Sequence, residues 1–121
     1  MGRVKVSKNF YRDEFECHCG CGFATVDIEL PQLCEDARAF DGGNPMEVWS
    51  GCRCPERNHT TPGAATNSLH MQGRAADLPC DNPQHVYEKL CEKYPDRYGF
   101  MLYENRVHVD TRDTPYRRRF V

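Results

Sequence analysis

Apolar residues recur at spacings of three and four over residues 29–40, at Leu30, Leu33, Cys34, Ala37 and Phe40. That spacing predicts a helix with one buried face. Thr25 or Asp27 offers its cap, and the run Asp41-Gly42-Gly43-Asn44 ends it. A second helix is predicted to start at Asn82-Pro83, a cap followed by proline at the first helical position. It runs to about Tyr94, with Val86, Leu90 and Cys91 facing inward. Pro45–Trp49 alternates and predicts a short strand. Gly73–Leu78 is short and bounded by turn formers, which predicts another. Tyr98–Tyr103 and Arg106–Thr111 predict two strands around Glu104-Asn105, the spacing of a two-residue hairpin. Phe10–Phe15 reads as a short turn or helix with aromatic anchors and Cys17–Gly22 as a loop. Residues 51–67 read as loop with one helical turn at 55–59. The order predicts an α+β domain over 10–121, with a small, mainly antiparallel sheet, two main helices and a polar arm at 1–9.

Composition narrows the function classes. No apolar stretch approaches the roughly 18 residues of a membrane span, so no membrane insertion is expected. The formal charge of −2 gives no general attraction to nucleic acid or anionic lipid. The basic run Arg117-Arg118-Arg119 reads as a solvated tail, and a monomer is expected. No glycine-rich phosphate loop and no nucleophilic-serine elbow occurs.

Eight cysteines are many for this length. Residues 1–10 hold no apolar core of a secretory signal, so synthesis in the cytoplasm and reduced thiols are expected. Free, partly buried thiols are the preferred state. A structural zinc at Cys17, Cys19 and Cys21, near His18, is an alternative, and so are disulfides. Cys52 and Cys54 form a second close pair. Cys34 and Cys91 lie on apolar helix faces and read as small core residues.

His70, Asp77 and His108 stand out as possible metal ligands. A catalytic zinc takes three protein ligands of the nitrogen and oxygen type and keeps one open position. Gly73 permits a turn between His70 and Asp77, and Ala75 and Ala76 are small enough for close approach. Asp110 shares a strand face with His108. Read alone, each ligand has an ordinary alternative: a hydrogen-bonded strand histidine, or an aspartate that caps a turn.

The segment Ser68-Leu-His70-Met-Gln-Gly73-Arg-Ala75-Ala-Asp77 matches the pattern S-x-H-x-x-G-x-A-x-D throughout. It resembles the zinc D-alanyl-D-alanine carboxypeptidases and L-alanyl-D-glutamate endopeptidases of bacterial cell walls. Arg106-Val-His108-Val-Asp110 resembles the second half of their site, and Ser50-Gly-Cys-Arg53 with Asn58 resembles an upstream segment. Phe15-Glu-Cys17-His-Cys-Gly-Cys-Gly22 is similar to the start of the short, single-domain branch carried by phages and prophages. The resemblance covers about residues 10–112.

It implies one catalytic zinc held by His70, Asp77 and His108, with Arg53 and Ser68 gripping a peptidoglycan peptide. It also implies action at the bacterial wall, with release by phage lysis. Many members carry an acid three residues before the second zinc histidine as general base; Asn105 stands there. Asp110 is the preferred replacement, with Glu104 behind it. Asp110 can alternatively serve as a carboxylate that orients a histidine. Two rivals remain: a cysteine-rich zinc-binding interaction module, and a catalytically inactive wall-peptide binder. The hedgehog signalling domain shares this fold and ligand set.

Overall fold

The computed structural model describes residues 3–17, 26–49, 51 and 69–121. The expected turn at 55–59 lies outside them, as do Cys19, Cys21, Cys52 and Cys54. The architecture is α+β. Helices α1 (Leu30–Phe40) and α2 (Pro83–Lys93) cover one face of a four-stranded sheet of β1 (Ala75–Pro79), β2 (Gly99–Leu102), β3 (Arg106–Asp110) and β4 (Tyr116–Arg119). No helix among the described residues is long and apolar enough to cross a membrane.

Local chemistry sets the helix ends. Asp27 Oδ1 accepts from the Glu29 amide at 2.9 Å, and Pro31 lies in the first turn of α1. The amide of Gly43 returns to the carbonyl of Arg38 at 2.9 Å and closes the far end. Asn82 Oδ1 accepts from the His85 amide at 3.2 Å, with Pro83 next, as the sequence predicts. Leu30, Leu33, Cys34 and Ala37 are buried on α1, and Val86 and Leu90 on α2. Cutting one of these leucines to alanine would cost roughly 2–5 kcal/mol.

The sheet order is β1-β3-β2-β4. β3 pairs antiparallel with both β1 and β2, whereas β4 runs parallel to β2, so the sheet is mixed. Alternation sends Ala76, Leu78, Phe100, Leu102, Val107 and Val109 to the helices. The residues between them face the other way.

Two expectations are corrected. Pro45–Trp49 is not a strand; Trp49 makes one backbone bond, N to the carbonyl of Asp77 at 2.9 Å. Its alternation places Val48 in the core without a ladder. The Arg117–Arg119 run is not a loose tail but most of β4. Arg117 turns its guanidinium onto backbone carbonyls, including Tyr98 O at 2.6 Å and Tyr116 O at 2.9 Å. Residues of the expected arm are pinned as well. Glu35 on α1 accepts from Ser7 Oγ, Asn9 N and Asn9 Nδ2, each at 2.6 Å.

Candidate metal centre

The site sits on the sheet face turned away from the helices. Asp77 on β1 is the direct partner of His108 on β3, so both side chains leave the same face. His70 arrives from a short 3-10 turn, Leu69–Gln72, just before β1. Gly73 ends that turn with φ +66°, a left-handed conformation that glycine adopts without strain. The chain thereby reverses and delivers Asp77 opposite His70.

One nitrogen or carboxylate oxygen from each of His70, Asp77 and His108 lies within 4.8 Å of the others. Asp77 Oδ2 is 3.5 Å from His70 Nε2, and Asp77 Oδ1 is 3.2 Å from His108 Nδ1. Tetrahedral ligands at zinc bond lengths stand roughly 3.3–3.5 Å apart. The spacing therefore suits such an ion with little adjustment.

The remaining ring nitrogens are held from behind. His70 Nδ1 lies 2.6 Å from the carbonyl oxygen of Gly51. A carbonyl only accepts, so Nδ1 carries the proton and Nε2 offers its lone pair to the cluster. His108 Nε2 lies 2.8 Å from Asp110 Oδ2 and donates to it, which leaves Nδ1 facing Asp77. Partners of this kind fix tautomer and ring direction in metal sites.

Asp110 is completely buried. Arg112 grips it as a fork, Nε to Oδ1 and Nη2 to Oδ2, both 2.8 Å. Burial alone would raise its carboxyl; the bonds from His108 and Arg112 overcome that and hold it far below the usual carboxylate range. Asp77 follows the same logic. Burial opposes its charge, but the His108 bond and the nearby charges of His70, His108 and Arg106 keep it lowered. Burial also works against the His108 imidazolium, yet the two aspartates raise its pKa.

The structure thus brings His70, Asp77, His108 and Asp110 together, with Asp110 behind His108 and its two oxygens engaged. Glu104 lies exposed in the turn before β3. It precedes His108 by four residues and stands outside β3. Arg53 and Ser68 lie outside the described residues, as do Cys19 and Cys21. Cys17 is buried, with 3% of its surface exposed.

Three contributors carry no signal in residue type alone. Gly51 acts through its backbone carbonyl. Arg112 follows Asp110 by two residues and could have been proposed from that spacing. Gly99 pairs with Asp110 across β2 and β3, and a Cβ built there would stand 2.4 Å from both carboxylate oxygens. Only glycine leaves room for the buried carboxylate.

The Peptidase M15 family model matches residues 8–110, and the chain belongs to that family of peptidases. No curated protein matches the chain. No solved structure matches it either.

Proposed function

We propose that the chain is a zinc metallopeptidase that hydrolyses amide bonds in the stem or cross-link peptides of peptidoglycan, as a D-Ala-D-Ala carboxypeptidase or an endolysin-type endopeptidase. One observation carries the reading: a His-Asp-His group, spaced for a metal, in a chain of the M15 peptidase family. When bound, zinc supplies Lewis acidity toward an amide carbonyl and acidifies water toward neutral pH.

The chain's own residues bind and orient. His70 Nε2, an oxygen of Asp77 and His108 Nδ1 would hold the metal. The Gly51 carbonyl and Asp110 keep the imidazoles in the binding tautomers. Asp110 acts through His108 in this reading, because a carboxylate sealed from solvent and forked by Arg112 has no free oxygen for a water proton. Glu104, exposed in the turn before β3, is a candidate for that transfer. Arg53 and Ser68 are proposed to hold the substrate, with the guanidinium gripping a peptide carboxylate. The site of action is the bacterial wall, reached in the phage-type branch through lysis.

A second reading, a zinc-holding wall-peptide binder without turnover, is favoured by the engagement of Asp110 together with Asn105 where many relatives carry an acid. Mass spectrometry of muropeptides separates the two. Zinc-loaded protein incubated with purified peptidoglycan should release shortened stems or opened cross-links, and a chelated sample should not. Retention on the wall without any new muropeptide would overturn the peptidase reading in favour of the binder.

A further inference from the structure

The sheet face that carries the metal ligands continues beyond them. Asp77, His108, Met101 and Arg118 form one row across the strands. The next row toward the hairpin is Pro79, Arg106, Tyr103 and Phe120. Pro79 and Arg106 are register partners, Tyr103 N donates to Arg106 O at 3.0 Å, and Phe120 N donates to Leu102 O at 2.8 Å.

The side chains of this second row form a stack. The guanidinium carbon of Arg106 lies 3.8 Å from the centre of the Tyr103 ring. The Tyr103 ring stacks on Phe120 at 4.6 Å with 12° between the planes. A guanidinium over an aromatic ring is held by its cation–π attraction and can still offer N–H donors to a planar acceptor. Arg106 donates to Oδ1 of its neighbour Asn105 at 3.3 Å, and among the described residues no carboxylate pairs with it. Arg3, Arg74, Arg97 and Arg112 each have a carboxylate partner.

The geometry points to Arg106 as the residue that binds a carboxylate of the substrate peptide one sheet row from the metal ligands, with the stacked rings of Tyr103 and Phe120 as the platform beneath it. This rests on the peptidase reading above. Adjacent rows on one face are two residues apart, roughly 6–7 Å. An extended peptide advances about 3.3–3.6 Å per residue, so the recognised carboxylate belongs one or two residues from the scissile bond. The ligand class is a peptide with a free α- or side-chain carboxylate near the cleaved amide.

The test uses two synthetic stem pentapeptides, one with its carboxylates free and one with its D-glutamate and C-terminal carboxylates converted to amides. Calorimetric affinity and kcat/KM are measured for the zinc-loaded parent, Arg106→Gln and Arg106→Lys. The parent should prefer the free acid by about ten- to a hundredfold, the range of one charge-assisted fork. Arg106→Gln should lose most of that preference, the remainder being the share proposed for Arg53. Arg106→Lys keeps the charge without the planar fork and should fall between, which also covers a glutamine variant that folds poorly. A preference retained in full by both variants, or absent in the parent, overturns the assignment. Cleavage indifferent to Arg106 would sink this inference and leave the peptidase standing. An Arg106-dependent affinity with no cleavage would do the reverse.

Discussion

Asp110 stands behind His108, with its Oδ2 2.8 Å from the ring nitrogen turned away from Asp77. The pair makes the imidazole a directed ligand before any ion arrives. Replacing the carboxylate by an amide removes the charge and half of the Arg112 fork. Asp110→Asn should therefore weaken zinc binding by about 10–100-fold, as loss of a histidine's supporting partner typically does. Competition against a chromophoric chelator reads this directly, and turnover at saturating zinc should be largely restored. Parental zinc affinity with turnover reduced by orders of magnitude would make Asp110 a general base instead.

Gly99 should be intolerant of even one methyl group. Its added Cβ would sit 2.4 Å from both Asp110 oxygens, so the carboxylate must move. Gly99→Ala should cost about 1–3 kcal/mol by overpacking and should weaken zinc binding alongside stability. Gly43→Ala has nothing within 4 Å of its added atom, though its φ of +74° is strained. It serves as a comparison that loses stability without losing zinc. Thermal melting and zinc titration of both variants check the pair, and parental zinc affinity in Gly99→Ala would contradict the packing account.

Glu35 predicts an acid sensitivity outside the metal site. Burial raises its pKa, but the donors from Ser7 and Asn9 win and lower it. A depressed folded pKa contributes stability that is present above the unfolded value and is lost as pH falls through the folded one. The docking of residues 7–9 onto α1 should thus weaken below about pH 4.5, the unshifted value. Glu35→Gln should cost about 1–2 kcal/mol at neutral pH and should flatten that acid limb. Urea denaturation across pH 3–7 tests it, and an unchanged acid limb would contradict the role.

Much of this was legible in the sequence because the elements are set by local rules. Asn82-Pro83 starts α2 through a cap and a proline, and the parity of β1 and β3 puts Asp77 and His108 on one face. Pro45–Trp49 misled because alternation also serves an irregular segment that tucks Val48 inward. β4 was hidden because three arginines read as solvated, and only the folded chain offers Arg117 the carbonyls of Tyr98 and Tyr116. The choice between Asp110 as base and as support could not be made from spacing. The support reading draws on the Arg112 fork, a two-residue spacing that could have suggested it, and on the space Gly99 leaves across β2 and β3, which only the fold shows.

The central claim is that His70, Asp77 and His108 together hold the catalytic zinc. Elemental analysis of zinc per chain in the parent and in His70→Ala, Asp77→Ala and His108→Ala tests it most directly, because the cysteines are untouched in every variant. Each single change should leave one zinc equivalent fewer than the parent, with circular dichroism confirming a folded chain. Unchanged stoichiometry in all three variants would contradict the claim and move the metal to the cysteines.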